Sequence, residues 1–231
     1  RDQIREAPAG SRAKRFGVFF GVSDYRFNDE VRLATDGKHS IDLVNAHNDA
    51  LRLAEAFAAA GRLDDRKVYV NHEATRRQME QAVTEWLPSV SRPGDTVFIH
   101  FTGHGVKIED NNGDESDGKD EVLLPHDMVD LAVLVGLIKK VERGEKADPR
   151  LERWRQMART LGTPEATNAA LLRETGISDD LFGRWLQRLD GRHVVVILGS
   201  CYGGGFATAA KEADAEKKND AADKDLSFGF L

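Results

Sequence analysis

Two side chains in this sequence combine into a recognisable chemistry: the thiol of Cys201 and the imidazole of His104. The thiolate is the reactive form of cysteine, and a neighbouring imidazole lowers the thiol pKa and holds the proton. Cys201 stands in Gly199-Ser-Cys-Tyr-Gly-Gly-Gly205, and His104 in Phe101-Thr-Gly-His-Gly105, each following a short apolar run. Glycines beside each residue let a substrate backbone approach, and they leave the amides of Gly105 and Cys201 to stabilise an oxyanion. A lone cysteine after an apolar strand is commonly just a buried residue, and a histidine there is commonly structural. Their equivalent settings, in two glycine-rich strand ends, are what make a Cys–His dyad for acyl transfer a reading of equal weight.

Other chemistries fit less well. Gly199-Ser-Cys201-Tyr-Gly203 has the form of a nucleophile elbow with cysteine in place of serine. That arrangement puts its histidine after the nucleophile, whereas all seven histidines (39, 47, 72, 100, 104, 126 and 193) precede Cys201. No Gly-Lys-Ser/Thr follows a strand, so there is no phosphate loop. His100 and His104 lack the helix and the intervening glutamate of a zinc peptidase. A single cysteine excludes intrachain disulfides and zinc sites built on paired cysteines.

The elements that must position the dyad follow from hydrophobic pattern and turn residues. Strands are expected at Phe16–Val22, Lys67–Asn71, Asp95–Phe101 and His193–Leu198. Helices are expected from Asn45 to Gly61, from the Thr75 cap to about Trp86 with an end at Pro88, and from the Ser178 cap over Asp179 to Leu189. Strands alternating with helices imply a mostly parallel α/β sheet, in which ligands bind at the carboxyl ends of the strands. If the third and fourth strands are neighbours, His104 and Cys201 meet at that edge. Residues 128–176 are rich in Arg, Glu, Leu and Ala, with breaks at Gly144–Pro149 and Gly162–Pro164, and read as a helical insertion without a core of its own. The catalytic domain would then run over 12–206, and 207–231, rich in Ala, Lys and Asp, reads as a linker-like tail.

The net charge of −6 argues against a general nucleic-acid partner. Seven carboxylates and one lysine between Glu109 and Glu121 give that one loop the same −6 as the whole chain. It must stay hydrated, attract a cation or face a basic partner. The longest apolar stretch, Leu131 to Ile138, is too short to span a bilayer, so no membrane partner is expected. No secretory signal is visible, which leans towards a cytoplasmic location. The start at Arg1 leaves an exported form open.

In ordered motifs the chain resembles caspase-like cysteine peptidases of the metacaspase (bacterial orthocaspase) branch. Thr102-Gly-His-Gly105 matches the histidine motif of that family. Asp114-Glu-Ser-Asp-Gly-Lys-Asp120-Glu121 followed by Val-Leu-Leu-Pro125-His-Asp127 matches its acidic loop, strand and Pro-x-Asp. Asn48-Asp49-Ala50, Ile177-Ser-Asp179-Asp180-Leu181 and the run from Val194 to Gly204 match its remaining motifs, so the likeness covers about 15–127 and 177–206. It implies a three-layer α/β sandwich, a mostly parallel central sheet with helices on both faces.

The resemblance also implies roles. Cys201 would be the nucleophile, His104 the general base and later acid, and the amides of Gly105 and Cys201 the oxyanion hole of a peptidase acting on protein or peptide substrates. Asp49, Thr102 and the position of Gly199 would form a pocket for Arg or Lys before the cut bond. Calcium, held by Asp120, Asp179 and Asp180, would stimulate the enzyme, with no organic cofactor. Processing of the chain by itself is implied as well, as is a small-subunit segment beyond the cysteine that is missing from this chain. Three positions depart from the family pattern: Gly199 replaces a pocket aspartate, Ala46 a cysteine, and Thr208 a calcium-binding glutamate. These departures keep a rival reading open, in which the fold is a catalytically impaired scaffold or interaction module.

Overall fold

The computed structural model describes residues 12–113, 115, 117–201 and a short strand at 229–230. In chain order its first half contains β1 (Arg15–Gly21), α1 (Asn28–Ala34), α2 (Ala46–Ala59), β2 (Asp65–Val70), α3 (Arg76–Gln81), a π-helical turn (Ala82–Trp86), α4 (Leu87–Val90) and β3 (Thr96–Thr102). There follow β4 (Gly105–Glu109), β5 (Lys119–Leu123), α5 (Leu131–Glu142), α6 (Leu151–Leu161), α7 (Pro164–Thr175), β6 (Ile177–Ser178), α8 (Asp179–Leu186), β7 (His193–Gly199) and β8 (Gly229–Phe230).

The main sheet has the order β2-β1-β3-β7-β8, and every neighbouring pair in it is parallel. Parallel strands buried on both faces read as continuous apolar runs, as Phe16 to Val22 and His193 to Leu198 do. On one face Val18, Phe20, Val97, Ile99, Phe101, Val194 and Val196 pack against side chains of α3, α4 and α8, among them Met79, Leu87, Phe182 and Trp185. On the other face Phe19 packs against Ala50 and Ala54 of α2, with Phe57 against it. Helices therefore cover both faces, as the resemblance implies.

α2 lies close on β1. A Cβ at Gly21 would come within 2.8 Å of the Ala46 carbonyl oxygen, the Ala50 Cβ and the His47 Cα. Only glycine permits that approach, which brings the first turn of α2 over the carboxyl ends of β1 and β3.

The structure departs from the sequence-based expectations in four places. The helix begun at Thr75 does not stop at Pro88 but continues to Val90. A proline ring clashes with the carbonyl four residues back, here Thr84, and the wider π turn over 82–86 relieves that contact. The short helix α1 has no counterpart in the sequence reading. The strand expected after the acidic loop is present as β5, but it pairs with β4 and β6 in a second, antiparallel sheet that the sequence reading does not contain. Finally, α5 to α7 do have a core: Val129, Val133, Leu134, Leu137, Leu151, Trp154 and Leu171 cluster with Phe27 and with Val31 of α1. Among the described residues no helix is long and apolar enough to cross a membrane.

Candidate active site

β3 and β7 are neighbours, and their register pairs Thr102 with Gly199. The Thr102 hydroxyl donates to the Gly199 carbonyl (3.3 Å), and the Gly103 amide donates to the same oxygen (3.4 Å). Two residues further along each chain stand His104 and Cys201. The approach is closest at Gly105, where a Cβ would lie 2.2 Å from the Cys201 carbonyl oxygen. The two glycine-rich strand ends thus touch, and Cys201 is a free, exposed thiol.

His104 is held on three sides. Its backbone N–H donates to the Tyr25 hydroxyl (2.9 Å), and its ring lies 5.3 Å from the Tyr25 ring. Its Nε2 is 3.0 Å from the carbonyl oxygen of Ile41. A carbonyl can only accept, so Nε2 carries the proton and Nδ1 is left as the basic nitrogen. Tyr25 is itself buried, donates to the Leu124 carbonyl (3.4 Å), and is kept from ionising because burial pushes its phenol far above the usual range.

Asp49, Thr102 and Gly199 come to one side of the sheet edge. Thr102 follows Phe98 and His100 on the face that α2 covers, and Asp49 lies in the first turn of α2. His100, beneath them, is 5% exposed with its Nδ1 unpartnered. Burial pushes it down to about 4, opposed by the charge of Asp49.

The residues read as calcium ligands do not converge as a trio. Successive residues of a strand point to opposite faces. Asp120 therefore turns to Arg173 (3.1 Å), whereas the Glu121 side chain turns to Lys107 (3.1 Å) and towards Asp179, whose carboxylate also accepts from the Glu121 backbone N–H (3.4 Å). The Asp180 carboxylate accepts from the Asn112 amide (3.0 Å). The group that does form joins Asp179 to Glu121 and Glu115, with one oxygen from each within 4.8 Å of the others. It suits a hard cation. Glu121 Oε2 is buried without a hydrogen-bond partner, and burial beside Glu121 pushes Asp179 up to about 7. The sequence carries no pattern that chooses Glu121 over Asp120, since both are buried in β5. Lys107, Lys119 and Arg173 balance part of the loop's charge, through Asp117, Glu121, Glu109 and Asp120. Ile41 acts through its backbone, and no side-chain pattern could have revealed it. The segment 202–228, with Thr208 and most of the expected tail, lies outside the described residues.

Comparison with known proteins points to a family. Residues 25–138 match the family model "Metacaspase, peptidase C14 domain". Metacaspase-1 of Saccharomyces cerevisiae is 45% identical over 53 residues, 23% of this chain and 12% of that protein. Metacaspase III c of Phaeodactylum tricornutum is 33% identical over 91 residues, 37% of this chain and 27% of its own. Metacaspase-1 of Mycosarcoma maydis is 28% identical over 121 residues, again spanning 27% of that protein. These matches thus span between about an eighth and about a quarter of the relatives' lengths. A crystal structure of a Geobacter sulfurreducens protein shares the fold, with a TM-score of 0.52 at 16% identity over 94% of this chain and 71% of that one.

Proposed function

Over residues 25–138 the chain belongs to the metacaspase family of caspase-like cysteine peptidases, and from that premise we propose that it is an endopeptidase working through Cys201 and His104. One observation carries this reading: Gly105 and Cys201, from two strand ends far apart in sequence, are in backbone contact. In the proposed reaction His104 Nδ1 takes the thiol proton, and the thiolate sulfur attacks the peptide carbonyl carbon. The amides of Gly105 and Cys201 stabilise the oxyanion, and the protonated imidazole gives its proton to the departing amine. Water, deprotonated by the same nitrogen, then hydrolyses the thioester.

The preference proposed is for Arg or Lys before the cut bond. Asp49 supplies the charge that a basic side chain would meet, and Thr102 and Gly199 share its side of the edge. Self-processing at a basic bond belongs to the same proposal, as does a small-subunit partner segment.

Calcium stimulation is proposed with a changed ligand set. Asp179, Glu121 and Glu115 would hold the ion, with carbonyls and water completing its shell. When bound it would supply positive charge between the loop that follows His104 and the helix that leads to the Cys201 strand. A fluorogenic peptide panel varied at the residue before the cut, run with and without calcium and with Cys201→Ala as control, tests the whole reading. Cleavage after Arg or Lys that vanishes in the variant supports it, and no cleavage in any peptide, with no labelling of Cys201 by an electrophilic peptide, favours the scaffold reading.

A further inference from the structure

The Ile41 carbonyl that orients the His104 ring belongs to a short loop, and that loop is gripped by one buried amide. Asn28, at the first position of α1 and 8% exposed, accepts at Oδ1 from the Ile41 N–H (2.9 Å) and from the Ser40 hydroxyl (3.0 Å). Its Nδ2 donates to the Asp42 carboxylate, whose other oxygen accepts from the Tyr25 N–H (2.8 Å). The orientation of the Asn28 amide is forced, since a backbone N–H can only donate and a carboxylate only accept. Ser40, Ile41 and Asp42 are therefore all fixed from one side chain, and Tyr25, the other support of His104, hangs from the same carboxylate.

We infer that Asn28 is a positioning residue for His104, acting through the carbonyl of Ile41. The grip extends outward. The Ile41 side chain packs against both the main core and the cluster built by α5 to α7, and Val31 of α1 lies inside that second cluster. Helices of the 128–176 insertion thus brace α1, α1 carries Asn28, and Asn28 holds the carbonyl that selects the proton-bearing nitrogen of His104. Without the grip the ring can turn or take the other tautomer, and Nδ1 is no longer held as the base.

This inference rests on His104 being the base in the proposed reaction, and its test separates the two. The imidazole ¹⁵N shifts of His104 in the wild-type chain should report a proton on Nε2, and a proton on Nδ1 overturns the inference before any variant is made. N28D keeps the acceptor for Ile41 and Ser40 but sets a carboxylate against Asp42. It should mix the two tautomers and lower the rate of Cys201 alkylation by a peptide electrophile about tenfold, with a displaced pH profile and little change in KM. Adding D42N restores a complementary amide–carboxylate pair and should recover the wild-type profile to within about threefold. Unchanged imidazole shifts and pH profile in N28D overturn the inference, as does a double variant that folds but fails to recover. If the chain cleaves no peptide while N28D still scrambles the His104 tautomer, the positioning stands and the peptidase reading fails.

Discussion

Gly105 and Cys201 meet backbone to backbone, so closely that a Cβ on the glycine would stand 2.2 Å from the cysteine's carbonyl oxygen. Gly105→Ala must therefore push the 200–201 turn away from β4. A displacement of about 1 Å at a reacting centre costs on the order of a hundredfold in rate. Turnover should fall by about that factor while alkylation by a small reagent such as iodoacetamide persists, because the thiol stays exposed. Wild-type turnover in Gly105→Ala would show that the contact has no part in catalysis.

Cys201→Ala should abolish peptide cleavage, and His104→Ala should reduce it by on the order of a hundredfold or more. Neither change opens a cavity in the main core, so melting temperatures should stay close to wild type. Full activity in either variant sinks the dyad.

In the peptide panel, Arg and Lys before the cut should outperform Asp and neutral residues. A Cβ at Gly199 would stand 3.1 Å from the Thr102 Oγ1 and 3.3 Å from its Cβ. That is tight, but a small shift of the threonine side chain accommodates it, so Gly199→Asp should fold and sharpen the basic preference. A clear preference for Asp in the wild-type chain would reject the pocket assignment.

Calcium at millimolar concentration should raise the melting temperature of the wild-type chain. The gain should disappear in Glu121→Gln and in Asp179→Asn, since both remove a carboxylate from the cluster. Asp120→Asn should keep the calcium response, because Asp120 faces Arg173. A response lost in Asp120→Asn and Asp179→Asn but kept in Glu121→Gln would restore the sequence-based ligand set, and a melting curve indifferent to calcium and chelator would dismiss the ion.

Two buried groups should tilt stability in opposite directions with pH. His100 is pushed down to about 4, so between pH 6.5 and 4 the unfolded chain binds the extra proton and stability falls as pH drops. Asp179 is pushed up to about 7 by burial, so from about pH 4 to 7 the folded chain holds the extra proton and stability falls as pH rises. Asp179→Asn should raise the melting temperature at pH 7 by at least about 2 °C, the response of a chain this size to about 1 kcal/mol, and leave it unchanged near pH 4. His100→Phe should lessen the loss below pH 6. A constant offset between variant and wild type across pH 4–8 contradicts either assignment.

Much of this site is legible in the sequence because its parts are local. Apolar runs ending in Gly-rich turns mark β3 and β7, and the family likeness pairs their ends, so His104, Cys201 and Gly105 can be named without coordinates. Residues that act through tertiary contact are harder to read. Ile41 contributes a backbone carbonyl, Asn28 opens a helix too short to carry a periodic signal, and Tyr25 looks like any aromatic after a strand. Asp120 and Glu121 show a different limit. Composition identifies the acidic loop, but only the pleat of β5 decides which carboxylate meets Asp179. The insertion hid its core for a related reason, since part of that core is supplied by Phe27 and Val31, roughly a hundred residues earlier.

The pairing of Thr102 with Gly199 spans 97 residues of chain, about half of them in the 128–176 insertion. Loop-closure entropy grows only logarithmically, so doubling such a loop costs about 0.6 kcal/mol. An evolving chain can thus accept a three-helix insertion between its histidine and its cysteine at little cost in loop closure, provided the insertion buries its own apolar faces, here partly against Phe27 and Val31. The kinetic side is different, because contacts this distant form slowly. As the chain leaves the ribosome, β1, β2 and β3 can pair well before β7 has been synthesised. The thiol therefore meets its base only when β7 docks on β3, and a half-made chain carries no dyad with which to attack its neighbours.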